Sequence, residues 1–108
     1  MLFRSNPASY VQLSFALLER GKAEQTIKQL DYFREAVIAY RKSITHYPTE
    51  HQLTHNFGQL LINIGDAFVK TGKADLMEEG EEYRAQAGIA FKRASMLARY
   101  KHDVLGLR

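Results

Sequence analysis

The sequence predicts an all-α protein made of two tandem antiparallel helical hairpins, with four long helices in all. Three observations predict this class. Apolar residues recur at spacings of three and four through long segments, and no comparable run alternates with the period of two of a strand. Prolines and glycines divide the chain into four segments, and an internal repeat relates the first half to the second. A plain antiparallel four-helix bundle is the alternative architecture.

The four segments are bounded by residues that start or stop helices. Asn6-Pro7 is typical of an N-cap followed by proline at the first helical position. Gly21 and Gly72 follow amphipathic runs, and we expect both to be C′ glycines that end helices. Tyr47-Pro48-Thr49 indicates a break, after which Thr49 caps the next helix. The predicted helices are 7–20, 23–47, 49–71 and 74–100.

The last three segments each carry an apolar stripe that we expect to face the core. These stripes are Leu30, Phe33, Val37, Tyr40, Ile44 and Tyr47; then Leu53, Phe57, Leu60, Ile64 and Ala67; then Tyr83, Ala87, Ala90, Ala94 and Leu97. Gly80 lies among four glutamates, and we expect it to interrupt the start of the fourth helix.

An offset of 51 residues superposes the two halves of the chain. It pairs Gly21-Lys22-Ala23 with Gly72-Lys73-Ala74, and Ala36 with Ala87. A duplicated helix–turn–helix unit shares its turn glycine and its small contact residues, so Ala36 and Ala87 are predicted to lie in close helix contacts. We therefore predict one domain over residues 1–108, with repeat 1 at about 7–47 and repeat 2 at about 49–100.

Small and aromatic residues recur at matching positions of the two units. The second unit has Ile64-Gly65, Phe68 and Gly72, followed by Ala87, Phe91 and Ala94, and the first has Ala36, Tyr40, Ser43 and Pro48. With this pattern each unit resembles a tetratricopeptide repeat, over residues 10–98. The chain departs from that family in one respect, because its alanine follows the turn glycine by fifteen residues rather than five. We expect the ten additional residues to extend the second helices.

The resemblance implies a non-catalytic protein-interaction module, a small adaptor or scaffold that binds a protein or peptide. The partner-binding face would be the first helix of each hairpin: Val11, Gln12, Phe15, Glu19, Gln59, Asn63, Asp66 and Lys70. Some members of the family hold a terminal carboxylate with lysine, asparagine and arginine at such positions. Only Asn63 matches, so we expect no carboxylate clamp.

The fourth helix carries a second apolar strip beside its core stripe. Ile89, Met96 and Tyr100 follow at spacings of seven and four, and Lys92, Arg93 and Arg99 flank them. Two apolar strips on one helix predict contact on two sides. Two repeats are also fewer than the three that such arrays generally need. We therefore expect this surface to mediate self-association or to complete a larger helical array with a partner.

A basic helical nucleic-acid-binding protein is the alternative function. The net charge is +3 and the isoelectric point is about 9.3. A basic run late in the chain contains no acidic residue after Glu82 until Asp103; it consists of Arg84, Lys92, Arg93, Arg99, Lys101 and Arg108.

The sequence predicts no enzyme, metal site or cofactor. The chain has no cysteine, which excludes disulfides and thiolate chemistry. His51 and His55 could share a helix face, but no third ligand stands at a useful spacing. The acidic cluster around Asp75 and Glu82 is typical of a solvated helix start. The uncharged stretch Ser5–Leu18 is too short and too polar to span a membrane, and the expected location is the cytoplasm.

Overall fold

The computed structural model describes residues 7–23 and 28–104, and the regular elements in this part of the chain are four α-helices. They are α1 (Pro7–Ala23), α2 (Lys28–His46), α3 (His51–Val69) and α4 (Ala74–Val104). Helix α1 packs against α2, and α3 packs against α4. The predicted all-α class and the two hairpins are therefore confirmed. The chain divides between Tyr47 and Pro48 into two units, one hairpin in each, and the prediction of a single domain over residues 1–108 stays a prediction.

The first unit is held together by the stripe of α2 and by small residues of α1. Most of the predicted stripe is buried, and Ala36 has no exposed surface. Ser14 is also buried, and its Oγ donates a hydrogen bond of 2.9 Å to the carbonyl oxygen of Ala36. This bond satisfies a hydroxyl that would otherwise be costly to bury. The close contact predicted for Ala36 is thus present.

Gly21 does not end the first helix, contrary to the prediction. Helix α1 continues through it to Ala23, and Gly21 is buried. A Cβ atom at this position would lie 2.7 Å from Cε1 of Phe33, so the absence of a side chain lets the two helices approach closely. The predicted start of α2 at residue 23 is also wrong, because Ala23 closes α1. Asn6 and residues 24–27 lie outside the described residues.

The chain breaks at Pro48 as predicted, but α3 begins at His51 rather than at residue 49, and its N-cap is one residue later than predicted. Pro48 and Thr49 form a turn, and Glu50, with extended backbone angles of φ −82° and ψ 100°, is the N-cap of α3. Its carbonyl oxygen accepts both the backbone N–H of Thr54 at 3.1 Å and the Thr54 hydroxyl at 3.1 Å. The prediction that Thr49 caps this helix is therefore wrong, because the turn after Pro48 occupies Thr49.

In the second unit, α3 and α4 approach each other at two glycines. A Cβ atom on Gly80 would lie 2.6 Å from the carbonyl oxygen of Gly65, and one on Gly65 would lie 2.8 Å from that of Gly80. Gly80 is buried inside α4 and does not interrupt it, contrary to the prediction. Backbone meets backbone here, so both positions require glycine. The additional residues of this unit extend the helix, as predicted.

Gly72 has the left-handed conformation expected of a helix-ending glycine, although α3 ends at Val69 with Lys70 as its C-cap, so that Gly72 lies one residue beyond the predicted C′ position. It follows the end of α3 with φ +72°, a left-handed conformation that glycine adopts without strain, and its N–H donates to the Val69 carbonyl at 3.2 Å. Gly21 and Gly72 therefore differ in structure although the offset of 51 pairs them. The offset describes the second helices, where Ala36 and Ala87 are both buried, but not the first: Leu13 is 50% exposed and its counterpart Ile64 is 1% exposed.

Candidate interaction surface

The most exposed apolar side chains of the second unit lie along one side of α4. Ile89, Met96 and Tyr100 are 69%, 60% and 68% exposed, and we refer to these three as the α4 strip. Ala87, Ala90 and Ala94 are buried on the other side of the helix, where α4 packs on α3. At 100° per residue the strip lies roughly opposite these alanines. The second strip that the sequence predicts is therefore present and faces outward.

The α4 strip borders a shallow groove with basic edges. The groove has a volume of about 380 Å³ and is lined by Ile89, Lys92, Arg93, Met96, Leu97 and Tyr100. Five of these six residues belong to the association surface predicted from the sequence. Leu97, which was predicted in the core stripe, also lines the groove, whereas Arg99 does not. The guanidinium of Arg93 also reaches the carbonyl oxygen of Pro48, with an Nη2–O distance of 3.4 Å. An apolar floor with basic edges is the arrangement of a protein-binding patch with a polar rim.

The partner-binding residues predicted in α1 are mostly exposed. Gln12, Phe15 and Glu19 are exposed, Phe15 to 53%, whereas Val11 is half-buried. Glu19 pairs with Lys22 one turn later, with a carboxylate-to-ammonium distance of 3.6 Å. The described side chains of α1 include no large apolar residue that is fully buried. Helix α1 therefore offers apolar surface as well as polar groups.

Of the partner-binding residues predicted in α3, three are exposed and one is paired with an arginine of α4. Gln59, Asn63 and Lys70 are exposed. Asp66 is half-buried, and its Oδ1 accepts hydrogen bonds from Nε of Arg84 at 2.9 Å and from Nη2 of the same residue. Arg84 also donates to Glu81 at 2.7 Å. The hydrogen bond to Asp66 raises the pKa of Arg84 above its ordinary value, and this ion pair joins α3 to α4.

Two residues of a second groove were not predicted from the sequence. In the first unit, Leu13 and Ile38 are 50% and 56% exposed. They line a groove of about 270 Å³ together with Leu17, Glu35, Ala39 and Lys42. Ile38 stands 51 residues before Ile89, so the internal repeat already contained the signal that would have identified it. The two units thus carry exposed isoleucines at equivalent positions of their second helices.

Of the two histidines that could share a helix face, His55 packs against an aromatic ring. The imidazole of His55 lies 5.1 Å from the ring centre of Phe91. Both histidines and Phe91 line a third, shallow groove, in the second unit, with a volume of about 270 Å³. Across the residues that the structure describes, no three histidine, aspartate or glutamate side chains are grouped to hold a metal ion. No helix in the described part has the length and apolar character to cross a membrane.

The basic run predicted late in the chain is divided by its contacts. Arg84 is neutralised by Asp66 and Glu81, whereas Lys92, Arg93 and Arg99 are exposed. The side chain of Lys101, and Arg108 altogether, lie outside the described residues. Comparison with known proteins adds no relative: no protein-family model matches the chain, and neither a curated protein nor a solved structure matches it significantly.

Proposed function

We propose that this chain is a non-catalytic protein-interaction module, a small adaptor or scaffold, whose principal binding surface is the α4 strip. The observation that carries this proposal is the exposure of Ile89, Met96 and Tyr100 along a groove with basic edges. Scattered exposed apolar residues are ordinary on a protein surface, but three at spacings of seven and four form one continuous patch. Large aromatic and methionine side chains are also enriched at protein interfaces.

The contacts of the titratable residues support binding rather than catalysis. His55 packs on Phe91, and Asp66 is paired with Arg84. A general acid or base must reach a substrate from a cleft in which its pKa is tuned. Glu78 and Glu82 are exposed on the surface of α4, and Glu81 is paired with Arg84.

We further propose that the hairpins are tetratricopeptide-like. Supporting this, most small and aromatic positions of the pattern are buried in both units, and Phe91 is half-buried. The buried ones are Ala36, Tyr40, Ser43, Ile64, Phe68, Ala87 and Ala94. In that arrangement the first helix of each hairpin offers a further binding face, whose exposed members are Gln12, Phe15, Glu19, Gln59, Asn63 and Lys70. The plain four-helix bundle predicts the same hairpins but assigns no such role to α1 and α3.

Quantitative affinity capture from the native source tests the function. We expect Met96→Glu to reduce partner recovery at least about tenfold, because it places a charge in the centre of the patch. Lys73→Glu, in the exposed turn before α4, is the matched control and should recover the partner normally. Equal recovery by Met96→Glu and the parent would contradict the α4 surface, and loss with Phe15→Glu alone would move the binding site to α1.

A further inference from the structure

We infer that the α4 strip binds a second copy of this chain, with the two α4 helices antiparallel. This inference rests on the proposed function and names the partner of the same surface. It follows from the charges that continue the strip toward the N-terminus of α4.

The exposed face that carries the strip is acidic in its first half and basic in its second. Going back from Ile89 by four and by seven residues gives Ala85 and Glu82, and a further step of four gives Glu78; all three are exposed. Lys92 and Arg93 follow Ile89 on the same face and are exposed as well. Residues at these spacings share one side of an α-helix. The charge of this face therefore changes from negative to positive along the helix, and Ile89 lies near the point of change.

Antiparallel pairing of two such faces brings opposite charges together. When Glu82 of one copy lies opposite Arg93 of the other, the two-fold axis passes near residue 87 and each such pair occurs twice. The two symmetry-related pairs are about 16 Å apart, from the rise of 1.5 Å per residue over eleven residues. In this register Ala85 faces Ile89, and the small alanine leaves room for the isoleucine.

The same register provides a partner for the far end of the strip. Tyr100 lies opposite Asp75, which is exposed in the first turn of α4. Its hydroxyl can donate a hydrogen bond to that carboxylate. Met96 lies opposite Glu78 and Glu79, whose methylene groups can cover its side chain. In this register Glu82, Arg93, Asp75 and Tyr100 thus each meet an oppositely charged or hydrogen-bonding group.

Other arrangements of two copies are disfavoured by charge. In an antiparallel register that places Met96 of one copy opposite Lys92 of the other, the two-fold axis passes near residue 94. Lys92 and Arg93 of both copies then lie close together. A parallel arrangement in register places every charge of the face opposite its own sign. Like charges juxtaposed at an interface are unfavourable, so the charges select the antiparallel register near residue 87.

Charge reversal tests the inference in the full chain by sedimentation equilibrium. We expect the parent to dimerise, and Glu82→Arg and Arg93→Glu each to raise the dissociation constant at least about tenfold, because each variant makes two attractive contacts repulsive. An equimolar mixture of the two variants should form a heterodimer. At one of the two pairs the introduced arginine lies opposite the introduced glutamate, and at the other the native Arg93 lies opposite the native Glu82, so both pairs are attractive. The double variant, in which both charges are exchanged, should regain self-association like the parent. Lys73→Glu, outside this face, should dimerise like the parent, and circular dichroism should show equal helicity throughout.

The outcomes separate this inference from the proposed function. A parent that stays monomeric at several hundred micromolar contradicts the inference that the partner is a second copy of this chain. The proposed function would still be supported if Met96→Glu specifically loses another captured protein. A dimeric parent whose double variant fails to regain self-association overturns the antiparallel register. Dimerisation that is unchanged by both single variants and by Met96→Glu removes α4 from the interface altogether.

Discussion

At the scale of single residues, four glycines have three different roles that the sequence alone does not separate. Gly72 supplies a left-handed conformation at the end of α3, whereas Gly65 and Gly80 allow two backbones to touch. Gly88 is exposed, and a Cβ atom there would meet nothing within 4 Å. Substitution by alanine should therefore have opposite effects at different glycines of the same helix.

We expect Gly80→Ala to lower the free energy of unfolding by about 1–3 kcal/mol, because the added methyl group collides with the backbone of α3. Gly88→Ala is the matched control in α4. It should raise the free energy of unfolding by about 0.5–1 kcal/mol, since alanine loses less conformational entropy in a helix. Urea titrations followed by circular dichroism measure both values. A Gly80→Ala variant as stable as the parent would contradict the close approach of α3 and α4.

Ala36 provides the corresponding test in the first unit. It is fully buried where its carbonyl accepts the Ser14 hydroxyl. We expect Ala36→Phe to destabilise the protein by about 1–3 kcal/mol by overpacking this contact. Ala16→Phe, on the exposed side of α1, should change stability by less than about 0.5 kcal/mol. Equal melting of the two variants in thermal denaturation would mean that a different face of α2 packs on α1.

At the scale of elements, periodicity predicted the helices and their buried faces, but not how helices end. The stripes of α2, α3 and α4 are buried or half-buried along their lengths because a period of 3.6 places them on one side. Gly21 and Gly80 were expected to stop helices because glycine has low helix propensity. Close packing outweighed propensity at both positions, and this depends on the facing helix, which local sequence does not reveal.

The internal repeat predicted the packing of the second helices but not that of the first helices. It predicted Ala36 and Ala87 correctly, because both sit on second helices with equivalent packing. It failed for the first helices, where Leu13 is exposed and Ile64 is buried. An offset without gaps assumes that both hairpins turn at the same position, but Gly72 lies in the turn whereas Gly21 lies inside α1. The α4 strip could be predicted because a helix with two apolar stripes is visible in the sequence itself.

Limited proteolysis tests the continuity of α4. Proteases require a locally unfolded segment, so the helical stretch from Glu78 to Glu82 should resist a glutamate-specific protease. Between residues 48 and 100, trypsin should cut first in the exposed turn, at Lys70 or Lys73. Early cleavage between Glu78 and Glu82 in the native protein would show that Gly80 interrupts α4 after all.

At the scale of the whole molecule, the charges favour a protein partner over a polyanion. The exposed cations on the described part of α4 include Lys92, Arg93 and Arg99, interleaved with Ile89 and Met96. Arg84 is already paired with Asp66 and Glu81. A nucleic-acid surface gains affinity from each cation that neutralises a phosphate, and apolar residues between the cations add little.

Salt dependence distinguishes the two classes of partner. If α4 met a polyanion with the three exposed cations of its described part, the slope of log affinity for RNA against log salt would be no steeper than about −3. We expect a slope of this size or smaller in filter-binding titrations, and Arg99→Ala should reduce it further. A slope of about −5 or steeper would contradict the proposed function and favour the nucleic-acid alternative.

Site-specific photo-crosslinking tests the central claim that the α4 strip is the binding surface most directly. Benzoylphenylalanine is incorporated in place of Tyr100 in the full chain, and in place of Lys73 as the control, and both proteins are irradiated in their native source. We expect a discrete protein adduct from position 100, containing a second copy of this chain, and none from position 73. Position 100 yielding no protein adduct, or the same adducts as position 73, would contradict the claim.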